Sequence, residues 1–270
     1  MLYCQSLQTV AKNRLDLENA LRLALTENGF EVYLQPQVES NSGKLVGAEA
    51  LLRWNRDGHG FVSPQEFIPV AEESGLILPI GEWVMQKAVM HALRLKQRFG
   101  RCIPVGVNVS AKQFQAPSFI DIVDQVLSIE GASPDMLEIE ITESTFIEDV
   151  GKTIEILTDL KARGLQIAID DFGTGYPSLS YLNKFPVDRL KIDRSFIMNI
   201  MDNEEDRILI SLVTELGRKL GLNVIAEGVE DDFQENLLIG MGCHAMQGYL
   251  FGRPVPFDEF CNMYKSMPAV

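Results

Sequence analysis

Short apolar runs separated by helical stretches set the tightest limit on how this chain can fold. The runs lie at 105–109, 137–141, 165–170, 189–192, 222–227 and 245–248. Between them apolar residues recur at helical spacing, as in Phe119, Ile122, Val123, Val126 and Leu127, or Leu209, Leu212, Val213, Leu216 and Leu220. Bounded apolar runs of this kind read as buried strands, and strands alternating with helices give a parallel sheet covered by helices. Two further strands come first, at 31–38 and 44–54, with only Glu39-Ser40-Asn41-Ser42-Gly43 between them. Such a short polar link closes a hairpin and cannot make a parallel crossover. The expectation is an α/β chain folded as a modified TIM (β/α)8 barrel with the first strand antiparallel. The competing architecture, an open doubly wound sheet, lacks support because no GxGxxG follows the first strand.

Helix limits follow from cap chemistry. Leu17, Ala20, Leu21 and Ala24 share a face, with Gly29 in the position of a C-terminal cap glycine. Ser63-Pro64-Gln65-Glu66 reads as a capping box with proline at the first helical position, and that helix is expected to reach about Ala71. A longer helix spans 81–99 and stops at Gly100, another ends at Gly164, and a third is stopped by Gly221. Short helices are expected near 179–182 and 233–238. No linker, low-complexity tract or internal repeat divides the chain. One domain over 15–265 is expected, with 1–14 as residual linker from an upstream module.

Polar residues stand at the ends of these apolar strands: Glu49, Asn108, Glu140, Asp170 with Asp171, Lys191, Glu227 and Gln247. In a barrel the C-terminal strand ends converge on one face, and that face carries the chemistry. Asp170 and Asp171 are adjacent carboxylates that repel each other, and Phe172-Gly173-Thr174-Gly175 follows at once. A capping aspartate next to a turn aspartate is the plain alternative for that pair alone. For the full ring, an all-oxygen donor set without His or Cys points to hard divalent ions, Mg²⁺ or Mn²⁺, with Ca²⁺ also able to bind.

Composition narrows the partners. The formal net charge of −14 disfavours nucleic acid or an anionic membrane bound through a basic face. Cys4, Cys102, Cys243 and Cys261 are scattered, which argues against zinc and a disulfide framework and fits a reducing, cytoplasmic setting. No apolar run approaches the roughly 18 residues of a spanning helix, and the first residues do not read as a signal peptide. His59 and His91 are expected to be surface or packing residues. Trp54 and the Met-rich last third are expected in the core, with Cys243 as a small buried hydrophobe.

Glu49-Ala50-Leu51, set in Ala48-Glu49-Ala50-Leu51-Leu52-Arg53-Trp54, resembles the name-giving motif of the EAL domain family of bacterial cyclic-di-GMP phosphodiesterases. The resemblance runs from about Leu15 to Phe260. It includes Gln35-Pro36, Phe67-Ile68-Pro69-Val70-Ala71-Glu72, Asn108-Val109-Ser110, Glu140-Ile141-Thr142-Glu143, Leu190-Lys191-Ile192-Asp193, Ala226-Glu227-Gly228-Val229-Glu230 and Gln247-Gly248-Tyr249. It implies that Glu49, Asn108, Glu140 and Asp170 hold a first metal. Asp170 would bridge to a second held also by Asp171, with Glu227 and Gln247 near the metals and their waters. Lys191 would orient or deprotonate the attacking water. Gln35 and Arg53 would contact guanine and phosphate, Gln247 would also face substrate, and Glu143 would hold the glycine-rich loop.

The implied reaction is hydrolysis of one phosphodiester of cyclic-di-GMP to linear pGpG with two Mg²⁺ or Mn²⁺ ions, Ca²⁺ being inhibitory. A homodimer and an upstream GGDEF or sensory domain are implied partners. Two residues depart from the family pattern: Pro177 where serine is common, and His244 where an acidic residue is common. The alternative function is a catalytically silent EAL domain acting as a cyclic-di-GMP receptor. Such modules typically lose metal ligands, whereas every matched position here is filled. An enolase-like barrel needs a capping domain for which 270 residues leave no room.

Overall fold

The structure is a computed structural model that describes residues 2–39, 42–56, 58–146, 149–175 and 182–264. Its elements in order are α1 (Leu2–Thr26), β1 (Phe30–Glu39), β2 (Lys44–Arg56), β3 (Gly60–Val62), α2 (Pro64–Ser74), α3 (Ile77–Phe99), β4 (Val105–Asn108), α4 (Ala111–Phe114), α5 (Phe119–Leu127), β5 (Leu137–Thr142), α6 (Val150–Ala162), β6 (Gln166–Phe172), β7 (Arg189–Ile192), α7 (Arg194–Met198), α8 (Glu204–Leu220), β8 (Asn223–Glu227), α9 (Asp232–Gly240), β9 (Ala245–Gln247) and α10 (Phe257–Met263). The expected helix near 179–182 lies almost wholly outside the described residues, as does Pro177.

Strands β2, β4, β5, β6, β7, β8 and β9 pair in parallel, each with the next. Strand β1 closes the ring by pairing antiparallel with both β2 and β9. This is the modified (β/α)8 barrel, with the first strand as the reversed one. The short β3 was not expected; it pairs with the far end of β2, antiparallel, outside the ring.

Alternation along each strand sorts the side chains. Ile139 and Ile141, Ile167 and Ile169, and Leu190 and Ile192 all lie in the apolar core. Their neighbours Glu138 and Glu140, Ala168 and Asp170, and Arg189 and Lys191 take the other face, which a period of two requires. The polar members meet one another across the barrel, so that face is the interior. Helices stop largely where their glycines predicted: Gly100 and Gly221 both adopt φ near +70°, a conformation costly for other residues.

Four details differ from expectation. The left-handed residue after α1 is Asn28, at φ 58, not Gly29. Gly29 is needed for space, since a Cβ there would lie 3.0 Å from the Ala24 Cβ. Helix α2 passes through Pro69 and ends at Ser74, beyond Ala71, because Phe67 and Ala71 anchor its buried face. Its Ser63 hydroxyl accepts from the Gln65 N–H, without the reciprocal bond of a capping box. Trp54 and Cys243 are buried as expected, and Met246 with them, but Met198, Met201 and Met263 are exposed. The first two sit on and just after α7, outside the helix–sheet layer. His91 packs face to face on Phe257 at 4.8 Å, and burial pushes its imidazole down to about 4, so it is a packing residue.

Candidate active site

The barrel brings the strand-end residues together. Lys191 is fully buried, and its ammonium lies 2.6 Å from Glu140 Oε2, 2.7 Å from Glu227 Oε1, 3.1 Å from Asp170 Oδ1 and 3.9 Å from Glu49 Oε2. Burial alone would lower the lysine's proton affinity, but Asp170, Glu140, Glu227 and Glu49 outweigh it and hold the ammonium charged, well above the ordinary lysine value. One cation cannot offset four carboxylates in a low-dielectric interior. Burial accordingly raises Glu140 well above the usual carboxylate range and pushes Glu227 up to about 8.

Glu49 is fixed from both sides. Asn108 Nδ2 donates to its Oε1 at 2.6 Å, and Gln247 Nε2 donates to its Oε2. Gln247 Nε2 also donates to Gln35 Oε1 at 3.1 Å, and Gln35 Nε2 donates to the Gly252 carbonyl. Gly106 makes room for Glu140: a Cβ there would stand 2.0 Å from Glu140 Oε1. That oxygen has no hydrogen-bond partner among the described residues.

Asp171, next to last in β6 where its pairing with β7 shifts register, is left-handed at φ 54, and its N–H donates to Asp170 Oδ1. A non-glycine residue in that region is uncommon and recurs at functional sites. Burial and then the Asp170 charge raise its carboxyl to about 6. Buried Glu143 accepts from the Gly173 N–H at 2.9 Å, as expected for a loop-holding residue. Thr174 does not join it; its hydroxyl donates to the Asp171 carbonyl. A Cβ at Gly175 would stand 2.4 Å from Glu143 Oε1, so the loop can lie on this carboxylate only with glycine there.

A cavity of about 160 Å³ opens over the cluster. Gln35, Glu49, Glu227 and Gln247 line it, together with Leu51, Arg194, Glu230 and Tyr249, which the strand-end reasoning missed. Leu51 lies within β2 and the other three follow strands; Leu51, Glu230 and Tyr249 stood in the quoted motifs without a role, and Arg194 was signalled only as the neighbour of Asp193. Arg194 donates to Glu230 at 2.9 Å, and Arg253 stacks 4.0 Å over the Tyr249 ring. Arg53 is not part of this wall. Its guanidinium donates to the Leu52 carbonyl and lies 5.6 Å over Tyr33.

The donor set suits hard divalent cations. Its members are carboxylates and one amide, and the orphaned Glu140 oxygen is an acceptor with nothing to accept from. Among the described residues no three His, Cys, Asp or Glu side chains are gathered as a ready cage. The carboxylates are turned onto the Lys191 ammonium, so loading metal requires them to share their oxygens between it and the incoming cations. No helix among the described residues is long and apolar enough to cross a membrane.

The EAL domain family model matches residues 18–254. The chain is 41% identical over 261 residues to the bifunctional diguanylate cyclase/cyclic di-GMP phosphodiesterase MucR of Pseudomonas aeruginosa, covering 95% of this chain and 38% of that protein. It is 36% identical over 266 residues to the cyclic di-GMP phosphodiesterase NbdA of the same organism, covering 97% of this chain and 34% of the other. The chain thus spans little more than a third of the length of these curated relatives. Among solved structures, the PaMucR phosphodiesterase in complex with c-di-GMP superimposes with a TM-score of 0.87 at 41% identity, over 91% of this chain and 99% of that one.

Proposed function

The chain belongs to the EAL domain family, and from that premise we propose that it hydrolyses one phosphodiester bond of cyclic-di-GMP to linear 5′-pGpG. The observation that carries this reading is the buried Lys191 ammonium ringed by Glu140, Glu227, Asp170 and Glu49 beneath an open cavity. Glu49, Asn108, Glu140, Asp170, Asp171 and Glu227 would hold two Mg²⁺ or Mn²⁺ ions, which supply local positive charge for an anionic substrate and activate water.

The chain's own groups have separate parts. Lys191 is held charged, which favours donating a hydrogen bond that orients the attacking water over accepting its proton. Glu49 is fixed by Asn108 and Gln247 and keeps one geometry through the reaction. Glu227 lies 2.7 Å from the Lys191 ammonium and lines the cavity, and its proposed part is to hold metal and its water. The water oxygen bonds to phosphorus, the bond to the ribose 3′ oxygen breaks, and a proton passes to that oxygen. Gln35, Gln247 and Arg53 are the proposed substrate contacts, Arg53 reaching phosphate only after leaving Tyr33.

We place the domain in the cytoplasm, following a GGDEF or sensory module, with residues 1–14 as the connecting segment; α1 runs unbroken through that boundary. A homodimer is proposed through Met198, Met201, Ile208 and Leu212, large apolar side chains exposed on and around α7 and α8. The deciding experiment is incubation with cyclic-di-GMP and chromatographic identification of products. Mg²⁺ or Mn²⁺ should give pGpG, EDTA should abolish it, and Ca²⁺ should inhibit, because its longer and looser coordination misplaces the reacting groups. Tight binding without pGpG under all three ions would replace the enzyme with the receptor.

A further inference from the structure

Beneath the Lys191 layer the barrel holds a second polar layer, formed by buried Gln37 and Glu138 and part-buried Arg189, each two residues from a member of the upper layer. Gln37 and Glu138 are each 1% exposed. Arg189 Nη1 donates to Glu138 Oε1 at 3.0 Å and to Gln37 Oε1 at 2.9 Å. Gln37 Nε2 donates to Gln247 Oε1 at 3.1 Å, and Gln247 Nε2 donates to Glu49 Oε2. Gln37 and Gln247 are direct partners across the β1–β9 ladder. Space for Gln37 comes from Gly47 on the facing strand, where a Cβ would stand 2.5 Å from Gln37 Oε1.

The chain of bonds has one polarity. Arginine only donates and an ionised carboxylate only accepts, whereas a glutamine amide can present either end. With Arg189 fixing the Gln37 oxygen, the Gln37 NH₂ must face Gln247. Gln247 must then turn its oxygen to Gln37 and its NH₂ to Glu49. Reversing either amide sets oxygen against oxygen or NH₂ against NH₂ among buried side chains, where a mispaired polar group is costly. We propose that Gln37 and Arg189 are positioning residues for the phosphodiesterase reaction: acting through Gln247, they set the orientation of the Glu49 carboxylate. The inference rests on the reading of the site given above. Partners at this remove from a metal ligand tune its orientation and basicity.

Gln37→Met tests it, because methionine has similar length and no hydrogen-bonding amide, and the Arg189–Glu138 pair remains intact. Mn²⁺ affinity is read by titration calorimetry, and kcat and KM by pGpG release. The expected result is Mn²⁺ affinity and kcat each lowered roughly tenfold, with KM within about twofold and Tm within a few degrees. The double variant Arg189→Met/Glu138→Met removes the buried pair as a unit, which avoids stranding one charge; it should reproduce the same split. Unchanged Mn²⁺ affinity and kcat in Gln37→Met beside an active wild type would overturn the relay alone. A fall in Tm with no change in either also overturns it, since that is a packing effect. A wild-type chain that neither binds Mn²⁺ nor releases pGpG would overturn the reading of the site, and the relay with it.

Discussion

Lys191 carries two duties in the proposed reaction, because the ammonium proposed to orient the attacking water is also the internal counter-ion of Glu140, Glu227 and Asp170. Removing it leaves buried carboxylates facing one another, a change of the class that costs several kcal/mol, about 3–5 where a buried pair is broken. Lys191→Ala should therefore lower kcat by roughly a hundredfold or more, with KM little changed. Its Tm should also rise more steeply with added Mn²⁺ than that of the wild type; steady-state kinetics and scanning calorimetry check the two parts. The same crowding predicts a pH effect. Glu227 is raised from 4.5 to about 8, so across that window the folded chain keeps a proton that the unfolded chain has released. Stability of the EDTA-treated protein should then fall as pH rises through the window. Divalent cations displace that proton, so their stabilising effect should be larger near pH 8 than near pH 6. A Tm of EDTA-treated protein that climbs steadily over this range would show that Glu227 is ionised in the fold.

The segment that ties the candidate site to the outer helices is the end of β6 and the turn after it. Asp171 reverses its φ, Gly173 bonds to Glu143, and Gly173 packs where a Cβ would sit 3.0 Å from the Phe196 ring on α7 and 3.5 Å from Leu209 on α8. The candidate second-metal ligand is thus tied on one side to Glu143 and on the other to the helices that carry the exposed apolar residues. Glu143→Ala removes the acceptor for the Gly173 N–H without touching Lys191 or Glu49. The expected outcome is a roughly tenfold higher Mg²⁺ requirement for pGpG release, with a far-ultraviolet circular dichroism spectrum like the wild type's. A Mg²⁺ titration superimposable on that of the wild type would separate the loop from the metal site. Glu143 was legible as a loop residue because it follows Glu140 by one strand end. That Glu143 takes the Gly173 N–H while the Thr174 hydroxyl turns to the Asp171 carbonyl is set by the dihedrals of the turn.

At the scale of the whole molecule, the barrel leaves Ile208 and Leu212 one turn apart on the outer face of α8, 54% and 62% exposed, beside Met198 and Met201. Leu212→Glu should convert a dimer into a monomer by sedimentation velocity while the isolated fold keeps its Tm; a wild-type chain that is monomeric at high micromolar concentration would remove this interface. The sequence alone determined the α/β class, the hairpin reversal of β1 and the cast of the upper polar layer. Strand period, turn length and residue type are local properties, and Glu49, Asn108, Glu140, Asp170, Lys191, Glu227 and Gln247 are polar residues at or near the ends of apolar runs. The sequence reading did not single out Gln37, Glu138 and Arg189, although each stands two residues from Gln35, Glu140 or Lys191 and so shares its face. Their contacts span 210 residues between Gln37 and Gln247 and 51 between Arg189 and Glu138. Which side chains meet across a barrel depends on the register of every strand between them and on where closure places β1 against β9. Only the tertiary structure decided that Lys191 would take the centre of the carboxylates, that Gly106 and Gly47 would make room for Glu140 and Gln37, and that Arg53 would rest on Tyr33 away from the cavity.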